Sequence, residues 1–512
     1  MDDFIKKNKE FWSQFKTKSG DKKLLIEEPG RIMITHANAV FSIMINQAKG
    51  YMPVWLCGEN CEGKKLIRSY CPNAEIITTK EWPFIKAYSV LVAVIKFLKM
   101  VFTRDILGFN YAGIRYGDIV YDAYLFENRV ATIKKIDLKI LKIIAKCIFR
   151  HIKIKKVLKN ENYFGVLVSH LIGISSGIMA RCALRYGYQV YLRTGHHRSV
   201  LQLLKGLESA YDYPITAHPT DVDRIITQAG PDLEKIFLKT LGDEIIGKGN
   251  ANSVNAFSKN SSFYDNRASF NSDYKLDQNK KNVFIMLHIF NDHPHSHFQW
   301  MLFKDYYDWL IQTLNFAKTN IKVNWIFKQH PSIKNYVTKD VDFNKVFKNL
   351  PKNIAYIDEN RQINTQSLIY CADLIVTCLG SAGFELPAMQ AIPSLVASDN
   401  PYTGLGFALE PRTKKEYFQI LENADKIEKI DSLAQKRARA AFIYIYKISN
   451  VNMSVCPILS QAEEKDKNIK QRYWNMVCNQ YATKKDTILK ELDQYISEIA
   501  KPEFKRLRTY EL

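Results

Sequence analysis

The sequence has no cysteine pattern of the kind that builds a disulfide framework or a zinc site. Its nine cysteines are odd in number and scattered, and no two of them form a C-x-x-C pair. Cys57, Cys61 and Cys71 lie close together, but no second pair of ligands follows, so we expect reduced thiols there. RNA-binding signatures and zinc-finger spacings are also missing. We therefore expect no nucleic acid among the partners of this chain.

An uninterrupted apolar run is missing as well. Residues 84–102, FIKAYSVLVAVIKFLKMVF, form the most apolar stretch, but three lysines interrupt it. A membrane-spanning helix would have to bury these charges, so we expect a buried or interfacial helix. The first residues, MDDFIKKNKEFW, are acidic and then basic without an apolar segment. They predict no secretory signal, and we expect a cytoplasmic protein.

Acidic residues are scarce relative to basic ones. The chain has 73 lysines and arginines against 52 acidic residues, a formal charge of +21. This excess favours an anionic partner such as an acidic membrane surface or a phosphorylated substrate.

Residues 133–159 form the strongest basic segment, in which lysines alternate with isoleucine and leucine. Five isoleucines fall near one face of a helix: Ile136, Ile140, Ile143, Ile144 and Ile148. The pattern is typical of a domain helix with a solvated basic face, or of a helix that docks on anionic lipid headgroups. We favour docking, which would place the protein peripherally on the inner membrane.

The order of the apolar segments predicts the fold class. A chain of 512 residues is long enough for two or three domains. Short apolar runs alternate with helix-length segments, which predicts parallel sheets covered by helices. The runs are residues 31–36, 54–57, 75–78, 164–170, 189–193, 282–290, 323–329 and 373–377.

A glycine-rich turn follows the last of these predicted strands. Gly380, Ser381 and Gly383 come directly after residues 373–377, and a helix is predicted to open near Phe384. Backbone N–H groups in such a turn and the positive end of the helix favour an anion, most naturally a phosphate. The alternative is an ordinary strand-to-helix turn that binds nothing.

Charged and polar residues surround this turn in the sequence. Glu385 would accept hydrogen bonds from a ribose, or would only be a favourable charge in the first helical turn. Lys328 and His330 end the predicted strand 323–329, where they would neutralise a nucleotide phosphate as it leaves. Pro331 would fix the following loop.

Histidines cluster after the strand at 282–290. His293, His295 and His297 alternate and would share one face of an extended segment, as in a metal site. Cysteine and carboxylate clusters do not accompany them, so we expect no metal. A polar role beside a ligand is the alternative.

Several of these residues together carry a family resemblance. They are Lys328-Gln329-His330-Pro331, Thr377, Gly380-Ser381, Gly383-Phe384-Glu385, Pro393 and Pro401-Tyr402-x-Gly404-x-Gly406. In this order they resemble the C-terminal half of bacterial capsule-polysaccharide glycosyltransferases, in particular the capsular Kdo-transferase and lipid-linked capsule synthesis group. The resemblance covers about residues 281–425. It implies an α/β fold of the GT-B type, with two Rossmann-like domains facing across a cleft.

The resemblance also implies a set of donor-binding residues. These are His293, Lys328, His330, Pro331, Thr377, Gly380, Ser381, Ala382, Gly383, Glu385 and Tyr402.

Inverting glycosyl transfer needs a base that takes the proton of the acceptor hydroxyl. The segment GDIVYDAYL resembles a piece found in related surface-carbohydrate transferases and contains Asp118 and Asp122. A similar H-x-x-x-D-x-P pattern places Asp292 and His293 beside the donor or the acceptor. All three aspartates stay candidates.

The predicted domains follow from the composition and the resemblance. Residues 1–244 are expected to form a Rossmann-like acceptor domain, and residues 245–281 a polar linker or mobile loop. Residues 282–460 would form the nucleotide-sugar domain. Residues 461–512 would be helices that cross back to the first domain.

The predicted function is a glycosyltransferase of bacterial surface-polysaccharide synthesis. The capsule resemblance implies a CMP-activated acidic sugar, Kdo or a nonulosonate, transferred with inversion and without metal or resident cofactor to a glycan or lipid-linked acceptor. A UDP-sugar or polyol-phosphate transferase, an epimerase-like enzyme and a catalytically inactive membrane-docked scaffold are the alternatives.

Overall fold

Two sheets of mainly parallel strands organise the chain in the computed structural model. The structure describes residues 2–58, 63–78, 83–195, 197–212, 215–246, 262–296, 300–361, 363–459 and 468–508. The strands in chain order are β1 (Lys23–Ile26), β2 (Met52–Cys57), β3 (Glu75–Thr78), β4 (Asn110–Tyr111), β5 (Ile114–Arg115), β6 (Tyr163–Val168), β7 (Gln189–Gly195), β8 (Arg198–Leu204), β9 (Asn282–Met286), β10 (Asn324–Lys328), β11 (Ile354–Ile357), β12 (Leu374–Thr377), β13 (Ser394–Val396), β14 (Ala408–Leu409) and β15 (Val451–Asn452).

Helices separate most of these strands. In chain order they are α1 (Asp2–Trp12), α2 (Ile32–Lys49), α3 (Lys64–Tyr70), α4 (Pro83–Thr103), α5 (Gly117–Asn128), α6 (Leu138–Lys159), α7 (Ile178–Arg185), α8 (Pro219–Ala229), α9 (Leu233–Ile245), α10 (Arg267–Asp273), α11 (Tyr306–Thr319), α12 (Phe343–Val346), α13 (Leu368–Cys371), α14 (Ala382–Gln390), α15 (Lys414–Glu422), α16 (Ser432–Ile443), α17 (Ile469–Thr483) and α18 (Lys485–Ala500).

The chain forms two compact units. The first contains the described residues within 1–123, 135–214 and 449–509, and the second those within 124–134 and 215–448.

The sheet of the first unit has the strand order β15-β8-β7-β6-β1-β2-β3. The strands from β7 to β3 pair in parallel, whereas β8 and β15 are antiparallel additions at one edge. The parallel part has the connectivity of a Rossmann-like half, because β1 lies in the middle and β6 returns to its other side.

The predicted strand at residues 31–36 is wrong. These residues form the start of α2, which ends before Gly50, a residue in the left-handed conformation with φ of 73°. Most side chains of α2 are buried, on more than one side of the helix. A short apolar run that is buried all round has no helical period to read, so its pattern looks the same as that of a buried strand. The first strand is instead β1 at Lys23–Ile26.

The second sheet is entirely parallel, with the order β11-β10-β9-β12-β13-β14. Numbered from β9, this order is 3-2-1-4-5-6, that of a dinucleotide-binding Rossmann fold. The predicted α/β class with two Rossmann-like units, as in the GT-B type, is confirmed.

The unit boundaries differ from the predicted domain boundaries at three places. Residues 124–134, predicted to lie in the first domain, belong to the second unit. Residues 215–245, which include α8 and α9, belong to the second unit, where they pack on α16. Residues 449–459 belong to the first unit, where β15 pairs with β8. Contacts of this kind join segments far apart in sequence and leave no mark in local composition.

The predicted polar linker is partly ordered. Residues 247–261 lie outside the described residues, but residues 262–281 contain α10, whose N-terminus is capped by the side chain of Asn266. Phe270 and Leu276 of this segment are buried in the core of the second unit.

The isoleucine face of α6 points into the first unit. Ile140, Ile143, Ile144 and Ile148 are fully buried, whereas Lys139, Lys142 and Lys146 are exposed. The helix therefore packs on the domain through its isoleucines and leaves its basic face in solvent, and docking of that basic face on lipid headgroups stays a prediction. Across the described part of the chain, every helix falls short of the length and apolar character that crossing a bilayer requires.

Candidate functional site

The strand order of the second sheet defines where a ligand is expected. β9 and β12 are neighbours, but the chain leaves them toward opposite sides of the sheet, to β10 and to β13. In open α/β sheets, ligands bind beyond the carboxyl ends of the strands at such a reversal. Residues 287–293 follow β9 there, and the glycine turn at 378–383 follows β12.

His288 connects these two strand ends. Its Nε2 accepts the backbone N–H groups of Cys378, at 3.1 Å, and Leu379, at 3.2 Å, and lies 3.0 Å from the hydroxyl of Thr377. The proton of the neutral ring must therefore sit on Nδ1. Its ring stacks on that of Tyr306, with centroids 4.6 Å apart.

Burial and, second to it, the nearby His330 lower the pKa of His288 to about 3. The imidazole is thus neutral near pH 7 and acts as a fixed acceptor. His288 is not among the residues predicted from the sequence, although its position just after a strand at the reversal is a recognisable signal.

Tyr402 supports the glycine turn from its buried side. The Tyr402 hydroxyl donates to the carbonyl of Gly380 at 3.1 Å. A Cβ at Gly383 would lie 2.0 Å from the same hydroxyl oxygen, so only glycine fits there. Thr377, Gly383 and Tyr402 are buried. These three predicted donor-binding residues shape the turn from inside.

The turn also leaves donors for a ligand. The N–H groups of Cys378 and Leu379 are used by His288, but those of Gly380, Ser381 and Ala382 donate to no described protein group. They lie at the start of α14, where the helix dipole favours an anion. Ser381 is exposed.

Glu385 faces the interior instead of a ribose. Its carboxylate accepts a hydrogen bond from the Tyr446 hydroxyl at 2.7 Å and interacts with Ser381. Burial raises the pKa of Glu385. Because the carboxyl is enclosed by its own helix and by Tyr446, this geometry does not support the predicted contact with a ribose.

Lys328 is the most unusual charge of the site. It ends β10, is buried, and its ammonium pairs with no carboxylate or other acceptor among the described residues. Burial lowers its pKa to about 8. A buried cation without a partner is costly, and such residues concentrate at functional sites.

His330 lies next to this lysine. Its Nδ1 accepts the N–H of Ser332 at 3.1 Å, so the proton of the neutral ring is on Nε2, which has no partner in the described part of the chain. Burial, and then the charge of Lys328, lower the pKa of His330 to about 4. Pro331 and the bond from Ile333 N–H to the His330 carbonyl form the turn that holds the ring.

The loop after β9 contains the predicted Asp292 and His293. Asp292 is at the surface, yet the protein around its carboxyl desolvates it and raises its pKa. His293 has a left-handed φ of 49° and stacks on Phe126, with centroids 5.7 Å apart. The preceding Asn291 has a buried Oδ1 without a hydrogen-bond partner in the described part of the chain.

The histidine cluster does not form a metal site in the described chain. His295 donates from Nε2 to the carbonyl of Lys304 at 2.8 Å, and His297 lies outside the described residues. Among the described residues, no three histidine, cysteine or acidic side chains are grouped as metal ligands.

The first unit contains Asp118 and Asp122, one turn apart on α5. Asp118 receives two hydrogen bonds from the fully buried Arg181, at 2.8 and 2.5 Å. Burial alone would raise the pKa of Asp118, but the Arg181 charge outweighs it and the pKa is lowered. A carboxylate held in this way is a poor base, so Asp118 is better explained as a structural ion pair. Asp122 is buried.

No protein-family model and no curated protein matches the chain. Similar solved structures include the UDP-GlcNAc 2-epimerase from Neisseria meningitidis bound to UDP-GlcNAc, with 10% identity, coverage of 83% of this chain and 99% of that chain, and a TM-score of 0.24. A glycosyltransferase from Rickettsia africae ESF-5 has 11% identity, coverage of 91% and 99%, and a TM-score of 0.25. MurG from Acinetobacter baumannii has 10% identity, coverage of 93% and 99%, and a TM-score of 0.22. At these identities and TM-scores the neighbours identify no reaction for this chain.

Replacing Asp118 by Asn is expected to lower the free energy of unfolding by about 3 to 5 kcal/mol, because Arg181 would remain buried without its counter-ion. Urea unfolding of the full chain measures this. Asp223, an exposed carboxylate on α8, is the control, and Asp223→Asn should change little. A fully stable Asp118→Asn protein that has lost only activity would contradict the structural role.

His288→Ala should destabilise the protein by about 2 to 4 kcal/mol, because two buried N–H groups lose their acceptor and a cavity forms. His288→Gln retains an acceptor and should lose less. Since the folded pKa of about 3 lies below the ordinary 6.5, the unfolded state binds more protons between these values. The stability advantage of the wild type over His288→Gln should therefore shrink as the pH falls from 6.5 toward 3. An advantage that is independent of pH would contradict the neutral, buried histidine.

Lys328→Met should stabilise the ligand-free protein at pH 7. The lysine pKa falls from 10.5 to about 8, and one pKa unit corresponds to about 1.4 kcal/mol, so the gain should reach at most about 3.5 kcal/mol. The gain should be complete below pH 8 and disappear as the pH rises to 10.5, where the unfolded state also loses the proton. Denaturant unfolding at several pH values measures it. A loss of stability in Lys328→Met at pH 7 would show that the ammonium has a partner.

Proposed function

We propose that this protein is a glycosyltransferase that binds the phosphate of a nucleotide-sugar donor at the strand reversal of the second unit. The observation that carries the proposal is Lys328, a buried ammonium without a counter-ion in the described chain, beside the neutral His330. An anionic ligand would supply the missing charge.

The donors of the site are of three kinds. Lys328 supplies a positive charge, His330 an N–H group from Nε2, and the start of α14 the backbone N–H groups of Gly380, Ser381 and Ala382. Together they suit the oxygens of a phosphate that gains charge as the bond to the sugar breaks. The backbone donors of the turn need not reorganise, because His288 and Tyr402 already hold the turn.

The base in this proposal is Asp292. Its raised pKa lies closer to neutrality than that of an ordinary aspartate, which suits a group that takes a proton from an acceptor hydroxyl. It lies on the loop after β9, at the same edge of the sheet as the phosphate donors. Attack by the acceptor opposite the leaving phosphate would invert the anomeric carbon. Asp122 is the second candidate.

The finer proposal is a CMP-linked acidic sugar, Kdo or a nonulosonate, used in capsule or related surface-polysaccharide synthesis. It is supported by the resemblance of the residues between 328 and 406, and by the presence of one buried lysine at the site among the described residues. A donor that releases a nucleoside monophosphate needs less charge compensation than one that releases a diphosphate, so metal-independent transfer is part of the proposal.

The proposed acceptor is a glycan or a lipid-linked precursor at an anionic membrane surface. The formal charge of +21 and the exposed lysines of α6 support this location.

A thermal-shift screen with CMP, CDP, UMP, UDP, GDP and ADP, with and without EDTA, tests the donor site. We expect selective stabilisation by CMP that EDTA does not change, of about 2.7 kcal/mol when the ligand is at a hundred times its dissociation constant. Lys328→Met should weaken CMP binding about tenfold or more, because a charged hydrogen bond is lost.

Lys318, an exposed lysine on α11, provides the matched control, and Lys318→Met should bind as the wild type does. Selective stabilisation by UDP would replace the CMP proposal with a UDP-sugar transferase. The proposed site would be contradicted if no nucleotide raised the thermal stability of the protein, or if Lys328→Met bound CMP as tightly as the wild type.

A further inference from the structure

Helix α4 of the first unit exposes most of its large apolar side chains, which a helix on a water-facing surface would normally bury. It buries only three of its described side chains, and two of these are small: Ser89, Ala93 and Met100. Ser89 and Ala93 lie one turn apart and allow α4 to pack closely on α6. The large apolar side chains are left on the other side.

These outward side chains form one continuous stripe. Their spacing of four, three, four, three and four residues keeps them on one face of a helix. Phe84 and Phe102 are 88% and 87% exposed, and Leu91 and Ile95 are each 61% exposed. The face consists of Phe84, Tyr88, Leu91, Ile95, Leu98 and Phe102. A contiguous exposed apolar surface of this kind marks an interaction site.

The charged side chains within α4 are all lysines. The sequence of α4 has no acidic residue, and its Lys86 and Lys99 are exposed. The adjacent α6 exposes Lys139, Lys142 and Lys146. A second copy of this surface would bring like charges together, whereas a bilayer with anionic headgroups complements both the apolar stripe and its basic border.

A cavity of about 300 Å³ continues the apolar surface at the start of the helix. It is lined by Phe84 and Tyr88 of α4, by Tyr111, and by His151 and Lys155 of α6. Aromatic walls with one lysine suit an amphiphile that has an apolar chain and an anionic group.

We propose that α4 lies in the plane of an anionic bilayer, with its six-residue face in the acyl region and the lysines of α4 and α6 at the headgroups. Its 21 residues correspond to about 31 Å of helix lying along the surface. The inference rests on the membrane location in the proposed function, but it does not depend on the donor or on the chemistry of transfer.

Flotation of the full chain with vesicles tests the inference. The vesicles are phosphatidylcholine alone or phosphatidylcholine with phosphatidylglycerol. We expect binding to the anionic vesicles that weakens with salt, and Leu91→Gln with Ile95→Gln should reduce the affinity at least about tenfold. The control is Ile321→Gln with Leu433→Gln, two side chains that are 65% and 55% exposed in the second unit, which should bind as the wild type does.

Hydrogen exchange of residues 83–103 in the unmodified protein gives an independent measurement. Exchange should slow when anionic vesicles are added and stay unchanged with phosphatidylcholine alone. Unchanged exchange in the presence of bound anionic vesicles would overturn the role of α4 even if the double variant did not fold.

The remaining outcomes separate the two proposals. If the wild type floats and the α4 variant floats equally, the membrane location stands and the inference is overturned. If the wild type binds neither vesicle, both are overturned, while the nucleotide screen is unaffected. If sedimentation shows a dimer that the α4 variant loses, with vesicle binding intact, the face belongs to a second copy.

Discussion

The hydrogen bonds accepted by Nε2 of His288 determine the geometry of the second unit's strand reversal. They tie the end of β9 to the backbone of residues 378 and 379, directly after β12. Since both N–H groups are consumed by the protein, the first free donors of the turn come later, at the start of α14. The histidine therefore sets which part of the turn is left for a ligand.

The same arrangement explains the protonation states around it. His288 and His330 are both neutral because burial opposes their charging, so Lys328 is the cation of this cluster. A protonated His288 could not accept the two N–H groups, and a protonated His330 would lie beside the lysine charge. The cluster thus concentrates one positive charge on the group that has no partner in the described chain, at the expense of the stability of the empty protein.

Local pattern in the sequence identified much of this site. The strand ends at Lys328 and Thr377, the glycine turn and the helix after it are encoded by runs of adjacent residues, and a short parallel strand needs no distant information to be recognised. The roles of Tyr402, Glu385 and Asp118 depend on what packs against them from elsewhere in the chain, and no local signal carries that. The exposure of the large apolar side chains of α4 could not be predicted for the same reason, because the sequence of an apolar helix does not show which of its faces packs on the protein.

The two strand reversals differ in how their charged groups are paired. In the first sheet, Glu27 follows β1 and accepts the N–H of Ser169, which follows β6, at 2.9 Å. It occupies the place that His288 has in the second sheet, as an acceptor that joins the two strand ends. Its carboxylate also accepts hydrogen bonds from Asn38, at 2.9 Å, and from Ser176, at 2.5 Å, and it attracts the buried Arg193 electrostatically. A phosphate at the first reversal would compete with a carboxylate that already accepts the hydrogen bonds of the nearby donors. At the second reversal the acceptor is the neutral His288, and Lys328 has no counter-ion among the described residues. Two sheets with related topology therefore differ in two properties on which the proposed anion binding depends: the charge of the acceptor after the first strand, and a buried cation at the end of the neighbouring strand.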